Sequence, residues 1–490
     1  MGIVIKQSLQ NSLYSYLGLA IGAINTLFLF PKAFAQNPEY FGLIQILLGY
    51  TLIISTFCSI GAPQIIVRYF QEVKTNERKN VTFFALILPI VLIFIMGIVG
   101  FIFRQKLAFM FTENTQDARL LYRYLPYLFP LVVFNIYFEI FSGLSQAHFK
   151  TVLPLFLKEV ERRILTGMIL AVYWIGWINI DGFVWLFTFS FLTQFVVILN
   201  SLYKGGYLEW GFSIRNIPLK SMLDYGFFTF LTFGGDLLIS KIDQIMIGKY
   251  VNMESVGYYT IAFFIGSVIN TPFKASNSIV KPVVAKYLSE NDLNGLKDFN
   301  YKSALMLMLT SGLIFMNVSG NLNEIYHIVP AKFADGVAIT LVISLVRFIS
   351  SASGINGNII HMGAYYRLNF TVTVAMMAAT VLLNFWLLPS YGMLGAAYAT
   401  GLVILISHIW KLIYVYNKYK IHPFTWSLII SAVVILLLTY LMFHIEINIS
   451  PWIAIILKSL VATMVFVTAV YFSKISSESN AIVNRILKIH

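Results

Sequence analysis

Fourteen stretches of predominantly apolar residues follow one another along this chain, each near the roughly 20 residues a helix needs to cross a hydrocarbon core. They fall at about 11–32, 41–63, 81–103, 122–145, 152–175 and 182–203, then at 222–250, 255–279, 302–320, 336–359, 368–388 and 393–416, and last at 425–444 and 452–472. Inside lipid a backbone must satisfy its own N–H and C=O groups, so only helices and closed barrels span it. These runs are continuous rather than alternating, which argues against an outer-membrane barrel. The expectation is an all-α polytopic membrane protein. Composition agrees, with 58% of the 490 residues hydrophobic and 11% charged, far from the soluble range.

The chain also repeats itself. Asn37-Pro38-Glu39-Tyr40-Phe41-Gly42 is matched by Asn252-Met253-Glu254-Ser255-Val256-Gly257, both N-x-E-x-x-G after an apolar segment. Arg68-Tyr69-Phe70-Gln71-Glu72 is matched by Lys286-Tyr287-Leu288-Ser289-Glu290, and Phe149-Lys150 by Tyr366-Arg367. The offsets of 215, 218 and 217 residues are nearly constant and in order, which indicates an internal duplication. Six spans per copy is an even number, so both copies enter from the same side and their pseudo-twofold runs along the membrane normal. The predicted domains are an N-terminal lobe (1–205), a glycine-bearing cytoplasmic linker (206–220), a second lobe (221–420), and two extra helices with a cytoplasmic tail (421–490).

The formal net charge of +13 does not call for nucleic acid, because most basic residues stand in loops between spans. Placing both termini in the cytoplasm puts Arg68, Lys74, Arg78, Lys79, Lys204, Lys220, Lys281, Lys286 and Lys297 inside, as the positive-inside rule expects; Arg119 and Arg123 are the main exception. Ala33-Phe34-Ala35 imitates a signal-peptidase site, but the preceding apolar run is long and the duplication needs its helix, so it reads as an uncleaved first span. The single Cys58 excludes a disulfide framework.

No Walker A loop is present, the seven histidines show no metal-ligand spacing, and no loop is long enough for an extramembrane catalytic domain. An enzyme is therefore not expected, nor a cofactor or a structural metal. The chemistry resides in charges inside the spans, which are costly there and mark polar interiors. Thr229, Thr232, Asp236, Ser240 and Asp243 step by three and four, forming one polar stripe on a helix; Lys241 lies roughly opposite it. Lys158 and Arg162 share a helical face within Lys158-Glu159-Val160-Glu161-Arg162-Arg163, while Glu139 is a lone carboxylate in the fourth span. Arg347 stands on a face with Ser344, Ser351, Gly354 and Asn358, where its fork would hold a phosphate or an acidic partner such as Asp236 or Asp243. Lys32 ends the first span, where it would bind or snorkel.

The stretches FPKAFAQNPEYFGLIQILL, SIGAPQIIVRYF and DQIMIGKYVNMESVGYYTIAFFIGSVI, with the spans and the duplication, resemble the polysaccharide-biosynthesis (Wzx-type) flippases of the multidrug/oligosaccharidyl-lipid/polysaccharide exporter (MOP) superfamily. That resemblance implies a bacterial inner-membrane protein with a MATE-like two-lobe fold. It would turn over undecaprenyl-pyrophosphate-linked oligosaccharides, for O-antigen, capsule or exopolysaccharide, by alternating access. Its partners would be that lipid-linked substrate, membrane lipids and other polysaccharide assembly proteins. In this reading Arg347, Arg162, Lys158 and Lys32 supply a cationic cavity. Asp236, Asp243, Glu139 and Ser240 line it or couple transport to H+ or Na+. The rivals are a cation-coupled multidrug exporter, which has twelve spans in common form, a lipid II flippase, and a membrane glycan polymerase or ligase, which needs a large outer loop.

Overall fold

The computed structural model describes residues 2–209, 211, 213, 217–333, 335–363, 366–476, 478–481 and 484. Among them there is helix and no strand. The first unit holds α1 (Gly2–Ile24), α2 (Phe30–Ala33), α3 (Pro38–Ser59), α4 (Ala62–Glu72), α5 (Arg78–Ile87), α6 (Ile90–Ile102) and α7 (Arg104–Phe111). It continues with α8 (Thr115–Tyr124), α9 (Leu128–Ala147), α10 (Val152–Phe156), α11 (Arg162–Trp174), α12 (Ile180–Lys204) and α13 (Leu219–Tyr250). After α14 (Met253–Ser267) come α15 (Thr271–Ser289), α16 (Leu293–Ser319), α17 (Leu322–Ile328), α18 (Gly336–Ser351) and α19 (Asn356–Met362). The chain ends on α20 (Tyr366–Tyr419), α21 (Trp426–His444) and α22 (Pro451–Phe472).

All fourteen apolar stretches fall on helix, yet among the described residues nine helices are long and apolar enough to cross a membrane. A tenth is α18 with α19, bent by 61°. The expected fourteen crossings are not established, for physical reasons. The stretches 368–388 and 393–416 are the two helices of α20, which meet at a kink where Gly392 is non-helical at φ 55° and ψ −140° after Pro389, so a count of uninterrupted helices takes them together. The fifth stretch is divided by a π-helical turn, Leu157–Glu161, and crowded with charge.

Packing separates Met1–Gly257 from Tyr258–His490, a boundary later than the linker at 206–220, because α13 packs on α3 and α4. The contact face of α13 is small: Gly49 of α3 meets Ile245, Gly248 meets Ile46, and Gly226 meets Ile65 of α4. Those positions recur at helical spacing, and Lys241 falls on the same face. In the first unit α9 is central, packing on α3, α4 and α12. Gly143 of α9 lies against the Pro63 backbone, and Asn135 donates to Ser55 Oγ at 2.7 Å.

The two N-x-E-x-x-G copies meet at their glycines. A Cβ on Gly42 would overlap the Met253 carbonyl, and one on Gly257 would stand 2.9 Å from the Phe41 ring. Asp117 fixes this corner by accepting the Met253 N–H at 2.9 Å. Backbone cannot give way as a flexible side chain can, so Gly42→Ala is expected to cost about 1–3 kcal/mol or more. Thermal unfolding of the purified variant in detergent checks this; an unchanged midpoint contradicts it.

In the second unit α21 and α22 close over α16, burying Leu428, Ile435, Met442, Ala462, Phe466 and Val470 with Met308, Phe315 and Phe348. A polar seam lies beside that core. Asn317 donates to Thr463 at 3.2 Å, Asn321 to Ser459 at 3.0 Å, and Lys458 to Glu324 at 2.6 Å.

Candidate functional site

The charged run of the fifth stretch occupies the π-helical turn and the first residues of α11. A π turn carries an extra residue relative to an α turn, so side chains that α spacing would stack fan apart. Lys158 crosses to α9 and pairs with Glu139 at 2.5 Å. Arg163 returns to Glu159 at 2.8 Å and also donates to the Gly18 carbonyl of α1. Gly22, whose Cβ would stand 2.6 Å from Arg163 Nη1, leaves the room for it. Glu161 accepts from Thr193 of α12 at 3.0 Å. Three of the five charges, Lys158, Glu159 and Arg163, are thus in ion pairs, and the charge of Arg162 acts on Glu161.

Arg162 forms no direct ion pair among the described residues. Its guanidinium lies over the Phe191 ring of α12 at 5.3 Å, and the charges of Glu159, Glu139 and Glu161 act on it. Its charge acts on Lys241 of α13. Lys241 Nζ donates to a neutral amide, Gln244 Oε1, at 3.0 Å. Both cations are partly buried within helices of the first unit. Like charges desolvated in one bundle repel, and an anion that reaches both lowers that cost.

A second π-helical turn, Asn25–Leu29, continues α1 and packs on α11. Asn25 donates to the Arg163 carbonyl at 2.7 Å, capturing an acceptor that the widened turn presents.

The other candidates are placed as follows. Lys32 is exposed and stands 5.9 Å over Trp174. Trp174 lies twelve residues along α11 from Arg162, about 18 Å at the helical rise of about 1.5 Å, so Lys32 is not brought to the Arg162 group. Glu139 and Lys158 are brought to each other. Asp243 is fully buried, at 1% exposure. The side chains of Asp236 and Ser240 lie outside the described residues. Arg347, on α18 in the second unit, is partly buried, and its charge and that of Lys411 act on His408. Ser353 bonds His408 Nδ1 at 2.6 Å. Ser351 is turned back to the Phe348 carbonyl at 2.6 Å, and Asn358 donates to Asn277 at 3.0 Å. Lys241 is the residue that the acidic stripe concealed. Its spacing from Gly234, Ile245 and Gly248 carried the signal, since those positions form the face toward α3.

The fold is shared with solved flippase and transporter structures. It resembles a lipid II flippase, MurJ, in an inward closed conformation, with a TM-score of 0.76 at 16% identity over 96% of this chain and 100% of that one. An inward-facing multidrug resistance MATE family transporter of the MOP superfamily gives 0.63 at 13% identity, over 83% and 99%. The Vibrio cholerae MATE transporter VcmN gives 0.57 at 11%, over 86% and 98%. No curated protein sequence matches the chain. Residues 8–288 match the polysaccharide biosynthesis protein family, and the chain belongs to that family. Its long apolar helices make it a multi-pass membrane protein.

Proposed function

We propose that the protein moves an undecaprenyl-pyrophosphate-linked oligosaccharide from the cytoplasmic to the periplasmic leaflet of a bacterial inner membrane. The observation that carries this reading is Arg162 and Lys241, two intramembrane cations of the first unit that form no direct ion pair among the described residues. Polar headgroups do not cross hydrocarbon unaided, because their desolvation is expensive. A guanidinium offers a planar fork to phosphate oxygens and an ammonium a compact charge, so the pair suits a pyrophosphate while the prenyl tail stays in lipid. Asp243 and Asp236 are the proposed acceptors of H+ or Na+, biasing the exchange between inward and outward states.

A second reading, lipid II as cargo, is favoured by the likeness in fold to a lipid II flippase across 96% of this chain. Purified protein in proteoliposomes, given a fluorescent lipid-linked oligosaccharide or lipid II in separate runs, decides between them. Faster accessibility of the oligosaccharide lipid in the opposite leaflet supports the first reading, and faster lipid II movement the second. Movement of neither, with export of a cationic dye instead, sinks both.

A further inference from the structure

The first unit contains an apolar pocket of about 1060 Å³ formed by α6, α7, α3 and the start of α9, with Ile54, Phe94, Gly97, Gly100 and Phe129 among its walls. Two glycines one helical turn apart hollow out α6. Gly97 lets the Phe129 ring approach, a Cβ there standing 2.8 Å from it, whereas a Cβ on Gly100 would meet nothing within 4 Å. The volume is at the upper end of the roughly 300–1,000 Å³ usual for small-molecule sites. Arg104, which opens α7, is the one charged side chain in the lining. It is held in place from one side: Nε and Nη2 donate to the Tyr122 carbonyl at 2.9 and 2.7 Å, and the guanidinium lies over the Tyr122 ring at 4.1 Å. Among the described residues no carboxylate pairs with it, and Lys106 stands two residues on.

We infer that this pocket is a binding site for an acidic phospholipid, with an acyl chain between α6 and α9 and the phosphate on Arg104. An apolar hollow in a membrane-spanning helix layer is filled by chains rather than water. A single fixed cation at its mouth matches a single phosphodiester. A pyrophosphate-linked glycan would need further polar groups, which these walls lack, so the site is distinct from the one proposed around Arg162.

Native mass spectrometry of the purified protein, titrated with phosphatidylglycerol or phosphatidylcholine of equal chain length, tests this. Phosphatidylglycerol is expected to be retained in preference. Arg104→Gln should reduce its retention about fivefold and abolish the preference, removing one cation near a lipid phosphate. Gly100→Trp, which fills the hollow, should reduce retention of both lipids about tenfold through lost chain burial. Met96→Trp serves as a second filling variant should Gly100→Trp not yield folded protein. Equal retention of the two lipids by wild type, wild-type retention by a filling variant, or selective retention of a prenyl phosphate in place of phosphatidylglycerol each overturns the inference. Oligosaccharide-lipid movement is scored in parallel on the same preparations, so loss of the lipid site and loss of transport are read separately.

Discussion

Replacing Arg162 and Lys241 together by alanine is expected to slow lipid-linked oligosaccharide translocation in proteoliposomes by about a hundredfold. A hydrogen bond to a charged group contributes roughly 1.5–3 kcal/mol, and about 1.4 kcal/mol is tenfold in a rate or an affinity, so each single replacement should cost about tenfold or more. The two effects should not add fully, because removing one cation relieves the repulsion on the other. Arg162→Lys should retain part of the activity, since the charge survives and the fork does not. The informative control is Lys158→Ala with Glu139→Gln. That pair already neutralises itself at 2.5 Å, so removing both partners should leave translocation close to wild type. A double Arg162→Ala, Lys241→Ala protein that elutes as folded and moves the lipid at full rate would remove the headgroup site proposed here.

The largest stability effect is expected at Lys458→Ala. The Lys458 and Glu324 side chains are only 3% and 12% exposed, and stripping one partner from a buried pair costs roughly 3–5 kcal/mol, because the remaining charge has nowhere to go. The flanking Asn317–Thr463 and Asn321–Ser459 contacts are worth far less, since interhelical hydrogen bonds in membranes average about 0.6 kcal/mol. Lys458→Ala should therefore lower the thermal midpoint in detergent far more than Ser459→Ala. Lys458→Met combined with Glu324→Leu should recover most of the loss, as apolar replacement of a buried pair often does. Equal losses for Lys458→Ala and Ser459→Ala would mean that the ion pair is not what holds α22 to α17.

The helical plan was legible because hydropathy over about twenty residues answers directly to the bilayer requirement; all fourteen stretches lie on helix. The count of crossings was less legible. Gly392, after Pro389, is a non-helical kink between two helices, as hydropathy reads them; the fifth and tenth stretches are instead broken by a π turn and a 61° bend. The separation of Arg162 from Lys158, expected on one helical face, was not legible, because sequence spacing assumes 3.6 residues per turn and the local turn is wider. That widening depends on α1 packing, through Gly18 and Gly22, which no local preference encodes. Lys458 needed no fold to be noticed: it is the only charged residue of α22, and a lone charge in an apolar run asks for a buried partner.

The widened turn at Leu157–Glu161 has an implication for how this chain tolerates change. It stores one surplus residue relative to an α turn, so removing one position between 157 and 161 would let the backbone return to ordinary pitch with the orientation of α11 kept, whereas the same deletion in a regular α turn would rotate everything beyond it by about 100°. Arg162 would then keep its place over the Phe191 ring. A change of length confined to those five positions is therefore absorbed by the turn itself, without altering any loop or the face presented to α12.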